Sequence, residues 1–157
     1  MKSISELLFT HPLFKEGEHW ARQTFPANKV VIAEGERGKE LFLVMRGTVR
    51  VMGNVELEGG STIHPGFCDL GTGAVFGEFG VLTYNRRTAT VTTVTECELA
   101  AVNGERLHEF FEAHSSIGYQ VMLEMLETVA ERLTSTNRRM LMLLAWGLKR
   151  HDIERHL

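Results

Sequence analysis

Two neighbouring stretches of the sequence decide the fold: residues 76–82 read FGEFGVL, and residues 87–91 read RTATV. Gly77 is placed to end one strand and to open a short apolar turn, whose unbonded backbone N–H groups attract an anion. Arg87 follows ten residues later at the start of the next strand. A guanidinium there can grip a phosphate with two parallel hydrogen bonds. The spacing therefore predicts a phosphate site.

The side chains beside these two stretches suit a sugar phosphate. An ionised Glu78 only accepts hydrogen bonds, so it fits the hydroxyl groups of a ribose and not the phosphate. Thr88 adds a hydroxyl next to the arginine, and Gly80 is small enough for a ligand to come close. Arg87 could instead be a structural partner of Glu78 that holds two turns together. The residues alone leave both interpretations open.

The middle of the chain is typical of a small antiparallel β domain. Of the 15 glycines, 11 lie between Gly35 and Gly80, a density that indicates tight turns. Short runs rich in Val, Thr, Phe and Leu are predicted as strands of a barrel or jelly roll; they cover residues 29–33, 40–46, 48–52, 74–76, 88–93 and 97–102. Residues 53–73 are predicted as a long loop of the functional or mobile kind.

Both ends of the chain have helical spacing. Residues 3–23 are predicted as an interrupted N-terminal helical segment. Asn103 is a suitable cap for a helix, and Ser115 or Ser116 for a longer one that runs to Arg150. We therefore expect a single domain over residues 1–157, mainly β with flanking α, with a helical segment (1–28), a β-roll (29–103) and C-terminal helices (104–157).

The last helix carries a heptad seam, in which spacings of four and three residues alternate over more than three heptads. Its members are Met122, Leu126, Val129, Leu133, Thr136, Met140, Leu143 and Gly147. A helix of this length would be roughly 50 Å long, more than a small barrel can cover. The seam predicts a parallel helix pair in a homodimer over residues 116–150. Packing on the chain's own barrel is the alternative.

Composition narrows the function classes. The chain has 157 residues, 43% of them hydrophobic, and a net charge of −3, which counts against binding to polymeric nucleic acid. Cys68 and Cys97 are too few for a disulfide framework, so we expect reduced thiols and a cytosolic protein. No apolar run is long enough to span a membrane, and the N-terminus does not have the pattern of a signal peptide.

The two opening stretches closely resemble the phosphate-binding cassette of cyclic nucleotide-binding domains, F-G-E-x-[AG]-x-L followed after four residues by R-[AST]-A-x-V. Upstream, residues 34–36, Gly38, and residues 41–44 and 47–51 resemble the early strands of the same domain. The resemblance covers roughly residues 5–140. It implies a double-stranded β-helix (jelly roll) with an N-terminal helix and C-terminal helices, and a ligand that is cAMP or cGMP rather than a catalytic cofactor.

The long last helix is most similar to that of the bacterial catabolite activators. Residues 130–137, AERLTSTN, align with their A-R-R-L-x-x-T-S, whose Thr and Ser touch the adenine from the two helices of the dimer. The resemblance implies nine ligand-binding residues: Gly77, Glu78, Phe79, Gly80, Arg87, Thr88, Ala89, Thr136 and Asn137. Asn137 stands where the activators have Ser, and Thr136 could be only a polar position that fixes the register of the helix pair.

Four alternatives to a cAMP receptor stay open. A Thr after the cassette arginine resembles cGMP-selective proteins, whereas the activator-like helix favours cAMP; a cyclic dinucleotide would fit too. The domain could be a degenerate module that only dimerises or docks on a protein. A jelly-roll metal enzyme is disfavoured because the seven histidines are scattered.

The residues after the last helix are too few for a helix-turn-helix domain. We expect a cytoplasmic receptor that is not an enzyme, that does not bind DNA directly or enter a membrane, and that acts on an unidentified effector protein.

Overall fold

The computed structural model describes residues 2–63, 66–82 and 86–150, which form two compact units, one ending at Val121 and one beginning at Met122. Along these ranges the strands are β1 Trp20–Phe25, β2 Val30–Ile32, β3 Glu40–Arg46, β4 Val49–Met52, β5 Val55–Glu56, β6 Thr62–Ile63, β7 Gly66–Leu70, β8 Val75–Phe76, β9 Thr90–Thr93 and β10 Cys97–Asn103. The helices are α1 Ile4–Leu8, α2 Glu78–Leu82, α3 Gly104–Ala113 and α4 Ser115–Arg150.

Two antiparallel four-stranded sheets form the body of the first unit. Their strand orders are β1-β10-β3-β8 and β2-β9-β4-β7, and β5 and β6 form a separate hairpin. One apolar core cluster takes side chains from both sheets, among them Phe42 and Leu99 from the first sheet and Val49 and Val91 from the second. The alternation in β9, where Val91 and Thr93 are buried and Thr90 and Thr92 only partly so, is the pattern of a strand with one face on such a core. The predicted mainly β fold with flanking helices is confirmed.

Two parts of the sequence fold differently from the expectation. The helical spacing over residues 3–23 extends too far, because the N-terminal helix α1 ends at Leu8 and Trp20–Phe25 is a strand. That strand is held by its antiparallel pairing with β10, in which Trp20 lies opposite Val102. Likewise, residues 53–73 are not one long loop, since they contain the β5–β6 hairpin and β7, which pairs with β4.

Polar side chains cap the N-termini of α1 and α3. Ser3 forms a capping box with Glu6 at the start of α1. Asn103 accepts hydrogen bonds from the backbone N–H groups of Glu105 and Arg106 at 3.0 and 3.1 Å, which confirms it as the N-cap of α3. The long helix α4 runs without a break from Ser115 to Arg150, so the prediction that Ser115 or Ser116 caps it is wrong: both lie inside the helix, and the backbone oxygen of His114 accepts its first hydrogen bonds.

The second unit consists of the remainder of α4, and most of its apolar side chains face solvent. At the seam positions, Leu126 is 64% exposed, Leu133 59% and Leu143 69%. Large apolar side chains exposed at a regular heptad spacing are typical of a helix face that binds another protein surface.

Candidate functional site

Arg87 lies at the centre of the candidate site, with its side chain only 4% exposed. Its backbone is tied to the loop before β3 by two hydrogen bonds, from Arg87 N–H to the oxygen of Glu36 and from Gly35 N–H to the oxygen of Arg87, both 2.8 Å. On the other side, β8 pairs with β3 so that Phe76 lies opposite Phe42. This register brings Gly77, at the end of β8, beside Glu40, at the start of β3.

The guanidinium of Arg87 connects these two strand ends. Its Nη1 donates to the backbone oxygens of Glu40 at 2.9 Å and of Gly77 at 3.2 Å, and its Nη2 donates to the Glu40 carboxylate at 3.2 Å. An arginine has five N–H donors. Within residues 2–63, 66–82 and 86–150, the other two, on Nε and Nη2, have no protein acceptor assigned to them. Toward the described part of the chain, the side chain therefore uses three of its five donors.

Three glycines surround the Arg87 guanidinium, and their lack of side chains leaves the space that it occupies. A Cβ on Gly80 would lie 2.5 Å from Nη1 and 2.6 Å from the backbone oxygen of Gly38, and a Cβ on Gly38 would collide with the guanidinium. Gly77 has a φ of +79°, in the left-handed region that favours glycine. The backbone can come this close only because these three residues have no side chain.

Arg87 is a buried cation with incomplete compensation. Burial lowers the pKa of its guanidinium, and the negative charges of Glu40 and Glu36 oppose that shift. The Phe42 ring contributes a cation–π contact at 5.9 Å. Among the described residues the ion-pair partner is Glu40, at 49% side-chain exposure, rather than the Glu78 that sequence reasoning considered. A half-exposed carboxylate is a weak counter-ion, so the site favours an added anion.

The cassette residues predicted as ligand contacts lie in this region, with different exposure. Gly77 precedes helix α2. Glu78 is the first residue of α2 and is buried, with 5% exposure. Phe79 is 37% exposed and Gly80 is buried, and the N–H of Gly80 donates to the oxygen of Gly77 at 3.0 Å. The Gly80 N–H is therefore used inside the turn and is not one of the unbonded N–H groups that the sequence predicts for an anion.

Beyond the arginine, Thr88 is exposed and Ala89 is partly buried. The two base-contacting candidates, Thr136 and Asn137, belong to the second unit, where both lie exposed on α4. Their approach to a bound base stays a prediction.

Two residues of the site were not among the predicted contacts. Glu40 supplies a carboxylate and a backbone oxygen to Arg87, 47 positions away, and Gly38 packs against its guanidinium. Gly38 does stand in an early stretch that carried the family resemblance. The Glu40 contact has no local signal, because it depends on the register between β3 and β8.

With this geometry in place, comparison with protein families gives one match, to the cyclic nucleotide-binding domain over residues 22–114. That is more than half of the chain. The chain belongs to the cyclic nucleotide-binding domain family. The matched residues include the two sheets apart from the first two residues of β1, together with the cassette and Arg87, so the family match covers the observed site.

Individual relatives within the family are regulators and channels. The chain is 29% identical over 125 residues to the cAMP-activated global transcriptional regulator Vfr of Pseudomonas aeruginosa, covering 77% of this chain and 55% of Vfr. It is 32% identical over 110 residues to the mouse hyperpolarization-activated cyclic nucleotide-gated channel 2, covering 69% of this chain and 11% of the channel. The chain thus spans about half of Vfr and only a small part of the channel.

Solved structures give the same fold. The c-di-GMP responsive global regulator CLP of Xanthomonas campestris superposes with a TM-score of 0.69 at 25% identity, over 80% of this chain and 60% of CLP. Among the residues that our structure describes, no helix is both long and apolar enough to cross a membrane. The same residues contain no cluster of three His, Cys, Asp or Glu side chains arranged for a metal ion.

Proposed function

We propose that this chain is a cytosolic receptor for a cyclic nucleotide, with cAMP preferred over cGMP, and that it regulates a partner rather than catalysing a reaction. The observation that carries the proposal is Arg87, a buried guanidinium that is surrounded by glycines and, among the residues that the structure describes, uses three of its five N–H donors on protein acceptors. Membership of the cyclic nucleotide-binding domain family supports the same ligand class.

The cyclic phosphate would bind at Arg87. A bound anion would neutralise the positive charge of Arg87 that Glu40 compensates only partly. Two N–H donors on one guanidinium suit two phosphate oxygens. Desolvation makes such a pair stronger than it would be on the surface. The missing side chains of Gly77 and Gly80 leave the space that the Arg87 guanidinium fills, so these glycines would hold the arginine in place for the phosphate.

The remaining contacts would hold the nucleoside. Glu78 would accept hydrogen bonds from the ribose hydroxyl, while Phe79 and Ala89 would border the ligand. Thr88, exposed beside Arg87, would offer its hydroxyl to the phosphate or to the amino group of a guanine. Thr136 and Asn137 would contact the base from α4, and this helix is the reason for preferring cAMP.

We also propose that two copies pair in parallel through the seam on α4. The exposed leucines at positions 126, 133 and 143 repeat at the period that two-stranded coiled coils need, and a second copy of the same helix is self-complementary to them. Ligand contact with α4 would then alter the pairing, which gives the chain a means of signalling to an effector protein. The free thiols Cys68 and Cys97 agree with a cytoplasmic location.

The binding proposal is tested by melting the purified protein with cAMP, cGMP, cyclic di-GMP and linear AMP. Ligand at about 100 times its Kd adds about 2.7 kcal/mol of stability, and a domain of this size gains roughly 2–4 °C per kcal/mol. We expect a shift of several degrees with cAMP, a smaller one with cGMP, and none with linear AMP. Cyclic di-GMP is included because CLP, which responds to it, has this fold.

Calorimetric titration of two arginine variants provides the control. Arg87→Ala should lose cAMP binding by at least about 100-fold, since it removes charged hydrogen bonds worth about 1.5–3 kcal/mol each. Arg86→Ala is the matched control, because Arg86 is exposed and donates to the oxygen of Gly35 outside the glycine-lined position. Failure of the intact protein to bind any of the nucleotides would favour the degenerate docking module.

A further inference from the structure

The carboxylate of Glu40 contacts the same guanidinium that would bind the phosphate. Nη2 of Arg87 donates to Glu40 Oε2 at 3.2 Å, and the backbone N–H of Lys39 donates to the same oxygen at 3.1 Å. The backbone oxygen of Lys39 accepts a hydrogen bond from the N–H of Gly104 at 3.0 Å, and its ammonium group pairs with Glu105. These contacts with α3 and with Arg87 hold the Glu40 carboxylate beside the position proposed for the phosphate.

A phosphate on Arg87 would share a nitrogen atom with this carboxylate. The two N–H groups that Arg87 does not use toward the described residues are its Nε–H and the second N–H of Nη2. Two acceptors that each lie about 3 Å from one nitrogen, along its two N–H bonds, are about 5 Å apart. A phosphate oxygen on Nη2 and Glu40 Oε2 would therefore be two negative groups at close range.

The charges in direct contact suit one negative charge better than two. Glu40 is 49% exposed and compensates Arg87 only partly, so the pair keeps less than one unit of effective positive charge. Glu36, exposed in the same loop, adds a further negative charge. A cyclic phosphate diester has a single negative charge, whereas the phosphate monoester of a linear nucleotide has about 1.5–2 at pH 7. Glu40 would repel the second charge, and Arg87 would no longer balance it.

The nearby cations interact elsewhere or lie at the surface. Lys39 pairs with Glu105, and Arg86 donates through Nη1 to the backbone oxygen of Gly35. Arg37 lies opposite Arg86 in an isolated antiparallel bridge, and both side chains are exposed. Water and salt screen charges at such positions, so the contact between Glu40 and Arg87 dominates the charge balance at the phosphate.

We infer that Glu40 is a specificity-determining residue, whose carboxylate beside Arg87 lets the site accept the single charge of a cyclic phosphate and reject the double charge of a linear nucleotide. This inference rests on the proposed function, in which Arg87 binds the phosphate. The discrimination does not involve the base, so it should apply to cAMP against AMP and equally to cGMP against GMP.

The test measures how well linear AMP and its 5′-methyl phosphate ester displace cAMP from the full chain. The ester is linear but has one negative charge, so it separates the effect of charge from that of ring closure. In the intact protein, AMP should bind more weakly than the ester. In Glu40→Gln, which keeps the shape and removes the charge, AMP should gain roughly 5–10-fold more affinity than the ester, the effect of about one charge at 5 Å in a half-exposed site.

Two further variants provide controls, and thermal melting verifies that each variant is folded. Glu112→Gln removes the same charge from an exposed position on α3, eight residues and about 12 Å along the helix from Gly104. It should leave the affinities for cAMP, AMP and the ester unchanged. Glu40→Asp keeps the charge and should keep the rejection of AMP.

The outcomes separate this inference from the proposed function. An intact protein that does not bind cAMP overturns both. If cAMP binds but Glu40→Gln changes the affinities for AMP and the ester by the same factor, only the inference falls. It also falls if Glu112→Gln favours AMP as strongly, because the net charge of the protein would then be responsible. Loss of the rejection in Glu40→Asp would contradict a role of the charge.

Discussion

At the scale of single residues, the glycines around the Arg87 guanidinium are the most constrained part of the candidate site. The missing Cβ of Gly80 leaves room for Arg87 Nη1 and for the backbone oxygen of Gly38. One of these neighbours is a main-chain atom that cannot rotate away. A side chain at Gly80 must therefore shift the backbone or expel the arginine.

We predict that Gly80→Ala lowers the stability of the protein by about 1–3 kcal/mol, the usual cost of overpacking, and weakens cAMP binding. Thermal melts and a cAMP titration check both effects. Gly71→Ala is the control, because nothing lies within 4 Å of the position that its Cβ would take. Equal melting temperatures for the two variants would contradict the close packing.

A second prediction at this scale concerns Thr88, whose hydroxyl is exposed beside Arg87. If it serves the guanine amino group, Thr88→Ala should weaken cGMP binding by roughly 2–10-fold, the value of one hydrogen bond, and leave cAMP almost unchanged. Thr88→Ser should restore cGMP binding. A matching loss for both nucleotides would assign the hydroxyl to the phosphate that they share.

At the scale of elements, the pairing of β4 with β7 carries a pH-dependent contact. Arg50 donates through Nε and Nη2 to the two carboxylate oxygens of Asp69, at 2.7 and 2.9 Å. This fork, chiefly through its hydrogen bonds, lowers the pKa of Asp69 below the ordinary aspartate value. The contact therefore stabilises the fold above the unfolded pKa of Asp69, and that contribution is lost as the pH falls through the folded value.

We expect an NMR titration of the Asp69 carboxyl carbon to give a midpoint below that of an ordinary aspartate. In Arg50→Gln the midpoint should move up towards the ordinary value, because the charged hydrogen bonds are gone. Both side chains are almost half exposed, so the change in overall stability should be small. An unchanged midpoint in the variant would show that the fork does not persist in solution.

The elements also show what the sequence could predict. Strands with a nearly continuous apolar run, such as residues 40–46 and 97–102, were predicted to within a residue of their observed ends. β1 was missed because its four inner residues are all exposed and because its conformation comes from pairing with the distant strand β10, in which Trp20 lies opposite Val102 and Phe25 opposite Cys97. In the candidate site, the cassette and Arg87 were predicted from a local pattern, whereas Glu40 depends on strand register and was not.

At the scale of the whole molecule, nucleotide binding and helix pairing should be linked. If cAMP favours the paired form, pairing must favour cAMP by the same factor, since the coupling of two equilibria is reciprocal. We predict that Leu126→Lys with Leu133→Lys gives single chains that bind cAMP about 5–150-fold more weakly, the usual range of such coupling.

Calorimetric titration of this double variant against the intact protein measures the factor, and Met142→Lys, outside the seam, should bind as the intact protein does. Equal cAMP affinity in single chains and in the assembled protein would show that cAMP binding and helix pairing are independent. In that case α4 could not transmit binding through pairing.

The double engagement of Arg87 also has an evolutionary consequence. One side chain joins the start of β3 to the end of β8 and, in the proposed function, also presents the donors for the ligand. A mutation that removes it would then damage folding and recognition together, so losing the ligand at this position would also cost stability. A descendant that abandons the nucleotide must first acquire another link between those strand ends. Lineages that keep this arginine stay under selection for both properties at once.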